Sequence, residues 1–292
     1  MLRTRPWVPY LYVAPMIGLL GLVFGYSMVR VFDFSMRFIR GASGPFVGLD
    51  NYDLVLEDPT FRLAAKHSAL LLLAVPILTV ISLLVSVVLF ERIRGWRFYR
   101  SVVFLPYILA VPIVGIIFSY ILQLNGVLNE ALRDVGLGFA ALDWIGSEGI
   151  ALWSVLGVIV WREVGFGIVL FLARLMSMDE EQLEAARIDG AGWWQRLRYV
   201  IVPQLRGTIE FYAVVATITM LAWVFAYVYT LTQGGPGGAT GIVELYIYNQ
   251  GVRNSLPGMA AAVAVLLLGT TLVLIVALFR IRARAGEEAT VS

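Results

Sequence analysis

Residues 68–90 read SALLLLAVPILTVISLLVSVVLF, a run from Ser68 to Phe90 without one charged side chain. As a helix rising about 1.5 Å per residue, it reaches across the roughly 30 Å apolar core of a bilayer. A helix lying on a water-exposed protein surface would show a polar face. This one is apolar all round. On either side of it the same reading applies to residues 11–31, 101–123, 150–175, 208–231 and 258–279, which gives six predicted spans. Within lipid the backbone must satisfy its own hydrogen bonds, and helices of this length do so. The expected fold is therefore an all-α polytopic membrane protein of six transmembrane helices, a single membrane domain over residues 1–292.

Composition agrees and narrows the chemistry. Hydrophobic residues make up 60% of the chain and charged residues 14%, with a mean hydropathy of +0.83, whereas soluble domains are about a quarter charged. The net charge of +2 is small and the basic residues are scattered among the connections, which argues against nucleic acid as a partner. The absence of cysteine excludes disulfides, thiol nucleophiles and cysteine metal sites. A lone histidine, His67, leaves no HExxH site, so no metal and no catalytic residue are expected.

Arginine placement sets the expected topology, because cytoplasmic connections carry the excess of Lys and Arg. One set of connections holds Arg3, Arg5, Arg92, Arg94, Arg97, Arg100, Arg174, Arg187, Arg196, Arg198, Arg206, Arg280, Arg282 and Arg284, fourteen in all. The other holds six, namely Arg37, Arg40, Arg62, Lys66, Arg133 and Arg253. Both termini are thereby expected in the cytoplasm, with loops 91–100 and 176–207 inside and loops 32–67, 124–149 and 232–257 outside. The first span has basic residues before it, as a signal peptide would, but its apolar stretch is long and no A-x-A pattern follows; it reads as retained. Trp7, Trp96 and Trp153 suit interfacial anchoring.

The 176–207 loop has the strongest local grammar. Ser177 and Glu180 have capping-box spacing, predicting a helix from about Met178 that Gly190 ends. A second short helix is predicted over residues 193–202, broken by Pro203, which can open the following membrane helix. Small residues Ala185, Ala186, Gly190 and Ala191 would admit another protein's backbone, and Glu184 and Asp189 offer charges for docking. An amphipathic loop resting on lipid headgroups fits the same pattern.

Glu184-Ala185-Ala186, then Gly190 after three residues, then Val200-Ile201-Val202-Pro203 after nine more, resembles the EAA loop of binding-protein-dependent ABC importer permeases. Val200 and Val202 stand where that family usually has Ile and Leu. The fuller run from Glu184 to Ala191 is similar to the sugar importer branch, as are Phe46 to Tyr52 in the first external loop and Leu231 to Pro236 after the fifth span. The resemblance implies a loop that couples the spans to a cytoplasmic ATP-binding cassette ATPase dimer through Glu184, Ala185, Ala186, Asp189, Gly190 and Ala191. It also implies a second, different permease subunit, an extracytoplasmic solute-binding protein facing Gly234, Gly235 and Pro236, and a place in the bacterial inner membrane. The turn at Gly234 to Pro236 reads equally as a tight connection. The chain has no G-x-x-x-x-G-K-[ST] phosphate loop, so no cofactor is expected on it; ATP and Mg belong to the ATPase partner. The expected role is transport without catalysis, with a sugar or oligosaccharide as solute and glycerol phosphate or a polyol as the alternative.

Charged groups inside a span are functional candidates, which singles out Arg162 and Glu163 with Phe166 one turn on. Pairing for helix assembly is the competing reading. In the fifth span Thr219, Met220, Trp223 and Tyr227 are expected to form one helical stripe, an aromatic and hydroxyl face suited to a sugar or, equally, to packing. Relatives carry F-D-x-x-Y where this chain has Phe225-Ala226-Tyr227-Val228-Tyr229, so the acid is missing. An ion-driven carrier relaying through Arg162 and Glu163, or a non-transport scaffold, remains the rival reading from composition alone.

Overall fold

The computed structural model describes residues 8–39, 43–91 and 94–291; Arg3, Arg5, Trp7, Arg40 and Arg92, on which part of the topology reading rests, lie outside them. Among the described residues the chain is helical, with an isolated antiparallel backbone bridge between Arg37 and Phe46. The helices are α1 (Val8–Leu20), α2 (Tyr26–Ser35), α3 (Asp50–Glu57), α4 (Pro59–Leu71), α5 (Ala74–Phe90), α6 (Trp96–Ile108), α7 (Val111–Ile121), α8 (Val127–Asp134), α9 (Ala151–Leu175), α10 (Glu180–Ile188), α11 (Trp193–Arg196), α12 (Val202–Ala222), α13 (Phe225–Leu231), α14 (Val243–Tyr248) and α15 (Pro257–Val291).

Five stretches are long and apolar enough to cross a membrane: Tyr10–Ser35, Pro59–Phe90, Ala151–Leu175, Trp193–Ala222 and Pro257–Arg280. The sixth expected span is a bent pair, α6 and α7, whose axes differ by 98°. Two expectations need correction. Pro203 opens the following helix, as expected, sitting in the first turn of α12, but the chain is not broken before it: a π-helical stretch over Leu197–Ile201 joins α11 to α12. Proline is tolerated there because its missing N–H is among those a first turn leaves unpaired. The fifth span instead breaks at Trp223, where φ −126° and ψ 0° end α12 before α13 begins.

The chain divides into two compact units, Met1–Arg62 with Tyr246–Thr270, and Leu63–Leu245 with Thr271–Ser292. In the first, a short polar clamp finishes α2. The buried Asn51 amide donates to the carbonyls of Ser35 and Arg37, each at 2.9 Å, and Tyr52 donates to the Ser35 hydroxyl at 2.7 Å. Carbonyls at a helix C-terminus lack partners within the helix, and these side chains supply one for Ser35. Asp58 begins α4, accepting from the Thr60 N–H at 2.7 Å and from the Tyr246 hydroxyl at 2.6 Å. Burial raises its pKa, but these hydrogen bonds outweigh burial and hold the carboxyl below its ordinary value.

The second unit is built around α9. Lipid tails are as apolar as leucine, so close packing rather than water exclusion must hold spans together, and small residues permit it. At Gly165 an added Cβ would lie 2.9 Å from the Val103 carbonyl oxygen of α6; at Gly167 it would collide with Ser82 of α5 and Tyr212 of α12. Ser82 also donates to the Val164 carbonyl at 3.1 Å. Leu89, Ile168 and Leu172 form a buried apolar contact between α5 and α9, and Tyr212 meets Phe171 edge-on at 5.2 Å. Gly115 brings α7 against α13, because a side chain there would run into the Thr230 hydroxyl.

Candidate functional site

Arg162 and Glu163 lie midway along α9 with side chains 13% and 11% exposed. Arg162 Nη1 is 2.5 Å from Glu163 Oε1 and donates to the Tyr227 hydroxyl at 3.2 Å; Tyr227 donates in turn to Glu163 Oε1 at 2.5 Å. Arg162 Nε donates to the Leu109 carbonyl at 2.9 Å, and the guanidinium lies 5.1 Å from the centre of the Tyr107 ring. Tyr107 stacks on Phe166 at 5.5 Å. A buried charge is tolerable only when it is paired and hydrogen-bonded, and here each charge has both.

The expected solute-path residues divide. Glu163, Phe166, Thr219 and Met220 line one small pocket, together with Tyr212 and Leu78. The pocket volume is about 10 Å³, room for about one water and far below the roughly 300 Å³ of small ligand pockets. Trp223 departs from the expected stripe: it is 70% exposed, because the helix ends before it and the 219-to-227 register is not continuous. Tyr227 is buried on α13 and engaged with Glu163. Tyr107 and Tyr212 belong to the same cluster and carry no signal in local sequence. Pro106 and Pro112, flanking Leu109 inside an apolar run, do mark the bend.

In the 176–207 loop, Asp179 rather than Ser177 caps α10: it accepts from the Glu181 N–H at 3.3 Å, while Ser177 bonds to the Arg174 carbonyl at 2.8 Å. The helix closes with Gly190 at φ +77°, a conformation that glycine adopts without strain. Hydrogen bonds from Ala191 N to Ala186 O and from Gly190 N to Arg187 O satisfy two of its last carbonyls. Gly192 and Gln195 start α11. Leu183, Leu197 and Ile201 are buried, whereas Glu184, Ala185, Asp189 and Gly190 are exposed and Ile188 is 86% exposed. Glu91 at the end of α5 accepts from Trp193 Nε1 at 3.2 Å and from Arg196 Nη2 at 3.0 Å. The loop is thus fastened on one side and presents Glu184, Ala185, Ile188 and Gly190 on the other.

The Gly234-Gly235-Pro236 turn is anchored from within its own unit. Gly234 has φ +87° and is buried. The buried Thr240 hydroxyl donates to the Gly235 carbonyl at 2.7 Å, His67 Nδ1–H donates to the Gly241 carbonyl at 2.9 Å, and the Val243 N–H donates to Ser68 at 3.1 Å. His67 therefore serves to hold a connection. Pro236 is half-buried and Gly237 and Gly238 are exposed.

Known proteins share this architecture. The chain is 32% identical over 281 residues to the probable ABC transporter permease protein YurN of Bacillus subtilis, covering 94% of this chain and 95% of that one. It is 30% identical over 244 residues to the lactose transport system permease protein LacF of Rhizobium radiobacter, covering 82% of each. A chain of the bacterial alginate ABC transporter, crystallised with an alginate pentasaccharide-bound periplasmic protein, superposes with a TM-score of 0.81 over 96% of this chain and 95% of that chain; at 21% identity the likeness concerns the fold. Residues 57–285 match the family described as binding-protein-dependent transport system inner membrane component, and a match of that extent, joined to a helical multi-span fold, places this permease chain in that family.

Proposed function

We propose that this chain is one permease subunit of an ATP-driven importer, that its 176–207 loop docks a separate cytoplasmic ATPase dimer, and that its solute is a sugar or oligosaccharide delivered by an extracytoplasmic binding protein. The observation that carries the proposal is the loop itself. A helix of three turns or less, capped by Asp179 and closed at Gly190, exposes Glu184, Ala185 and Ile188, while Glu91 fastens the next helix of the loop, α11, through Trp193 and Arg196. The chain contains no phosphate loop of its own. The arginine excess of the 91–100 and 176–207 connections supports a cytoplasmic position for that loop and for both termini in a bacterial inner membrane. The lactose permease relative supports a carbohydrate solute.

ATP binding to the motor would shift the spans between two arrangements only if it favours one of them, and a stiff loop is what transmits that preference. The pocket beside Glu163, with room for about one water, fits an arrangement in which the path is shut at this level. A second permease completes the path.

The test is reconstitution in liposomes with the ATPase, second permease and binding protein encoded by neighbouring genes, assayed with labelled oligosaccharides and with glycerol 3-phosphate. Glu184→Lys and Gly190→Pro should abolish uptake and stimulated ATP hydrolysis while membrane insertion persists. Proline cannot adopt the φ of +77° found at Gly190. Normal uptake in both variants overturns the docking assignment, and uptake of glycerol 3-phosphate alone overturns the carbohydrate one.

A further inference from the structure

The third span stops at Ile108 and restarts at Val111, with Leu109 (φ −67°, ψ 137°) and Ala110 (φ −63°, ψ 136°) extended between the two halves. Non-helical backbone at membrane depth persists only where protein or trapped water satisfies it. Arg162 meets part of that need from a different helix: its Nε donates to the Leu109 carbonyl at 2.9 Å. The same guanidinium reaches Glu163 and Tyr227 through Nη1, and its face covers Tyr107, the last-turn aromatic of α6. Tyr227 sits on α13, immediately beyond the break at Trp223 in the fifth span. One side chain therefore bonds to the broken point of one span and to the short helix that follows the break in another.

We infer that Arg162 is a positioning residue rather than a solute ligand: it fixes the bend between α6 and α7 and ties it to α13. Planar guanidinium suits this task, because its donors lie in a rigid fork that addresses the carbonyl on one side and the carboxylate on the other. Glu163 and Tyr227 set the orientation of the fork, and the Phe166, Tyr212 and Thr219 side of the cluster is left to line the pocket. The inference rests on the membrane fold and on no particular solute, so it stands or falls independently of the importer reading.

The chain has no native cysteine, so introduced pairs label uniquely. Tyr99 on α6 and Tyr120 on α7 are both exposed; Tyr99→Cys with Tyr120→Cys, spin-labelled in solute-free lipid nanodiscs, reports the bend as a distance distribution. Trp153→Cys with Ala173→Cys, both on α9, reports whether the scaffold remains folded. Arg162→Gln should shift and broaden the first distribution and leave the second unchanged. Arg162→Lys should restore it in part, because an ammonium can reach the Leu109 carbonyl but cannot present a fork. If Arg162→Gln also disturbs the α9 pair, Tyr227→Phe, which keeps the ion pair, should still broaden the bend. A bend distribution unchanged in Arg162→Gln, or unchanged in Tyr227→Phe where Arg162→Gln does not fold, overturns the inference.

Discussion

Arg196 Nη2 lies 3.0 Å from Glu91 Oε1 across 105 residues of chain, joining the short helix α11 to the C-terminal end of α5. A carboxylate at a helix C-terminus faces the negative end of the helix dipole. Glu91 offsets that with two donors, Arg196 and Trp193. The consequence is mechanical. Any displacement of α11 by a docked partner pulls on the second span as well as on α12.

Glu91→Gln should therefore weaken coupling more than stability. Partly exposed ion pairs contribute about 0–1 kcal/mol, so the thermal midpoint in detergent should move little. ATP-driven uptake in liposomes should fall several-fold at unchanged insertion. Exchanging the pair, Glu91→Arg with Arg196→Glu, should recover part of the loss, although it discards the Trp193 bond. Full activity in Glu91→Gln would show that the second span takes no part in transmission.

Ile188 is the large apolar side chain that α10 leaves most exposed, at 86%. No buried contact among the described residues accounts for an isoleucine there, and the proposed ATPase docking would give it one. Ile188→Asp is expected to leave the fold intact, with a stability change within about 0.5 kcal/mol, and to weaken association with the ATPase, measured by co-purification in detergent. Ile188→Leu should retain it. Undiminished association in the aspartate variant would move the docking contact elsewhere on the loop.

The spans were legible in the sequence because a bilayer dictates length and apolarity locally, as at residues 68–90. The breaks were legible only in part, through Pro106 and Pro112 in the third span. Whether the 101–123 stretch bends by 98° depends on Arg162, 53 residues further on, as well as on Pro106 and Pro112. The helical stripe expected from Thr219 to Tyr227 presumed an unbroken helix, and the turn at Trp223 removes that premise. Arg162 and Glu163 could be found from the rarity of charge inside a span, and Phe166 from its place one turn beyond them, but Tyr107, Tyr212 and Glu91 matter only through partners that the fold brings to them. Asp179 displaced Ser177 as the cap because α10 begins at Glu180, two residues nearer Gly190 than capping-box spacing implies.

Glu244, on α14 outside the spans, gives a pH dependence of definite sign. Among the described residues its Oε1 is buried without a partner, and burial, only partly opposed by its own backbone N–H, raises its pKa from 4.5 to about 7. Below about pH 4.5 folded and unfolded chains both hold the proton. Between there and about pH 7 the unfolded chain releases it first, so stability falls as pH rises, and above that the loss is complete. The shift corresponds to about 3 kcal/mol as an order of magnitude. Glu244→Gln should raise the melting temperature relative to the parent at pH 8 and have little effect at pH 4.5. Equal differences at both pH values would mean that the carboxyl is charged and solvated in the folded chain.

The packing around α9 separates two glycines that look alike in sequence. At Gly157 an added Cβ meets nothing within 4 Å, while at Gly167 it would meet Ser82 and Tyr212. Alanine favours a helix over glycine by up to about 1 kcal/mol, so Gly157→Ala should be neutral or slightly stabilising. Gly167→Ala must push α5 or α12 away from α9, and overpacking of this kind costs about 1–3 kcal/mol. Melting in detergent or lipid nanodiscs should show a clear drop for Gly167→Ala. Because the displaced side chains include a wall of the Glu163 pocket, Tyr212, that variant should also lose uptake at temperatures where it remains folded. If the two alanine variants melt alike, α5, α9 and α12 are not packed closely at Gly167, and the close approach that stands in for water exclusion within lipid must come from other positions.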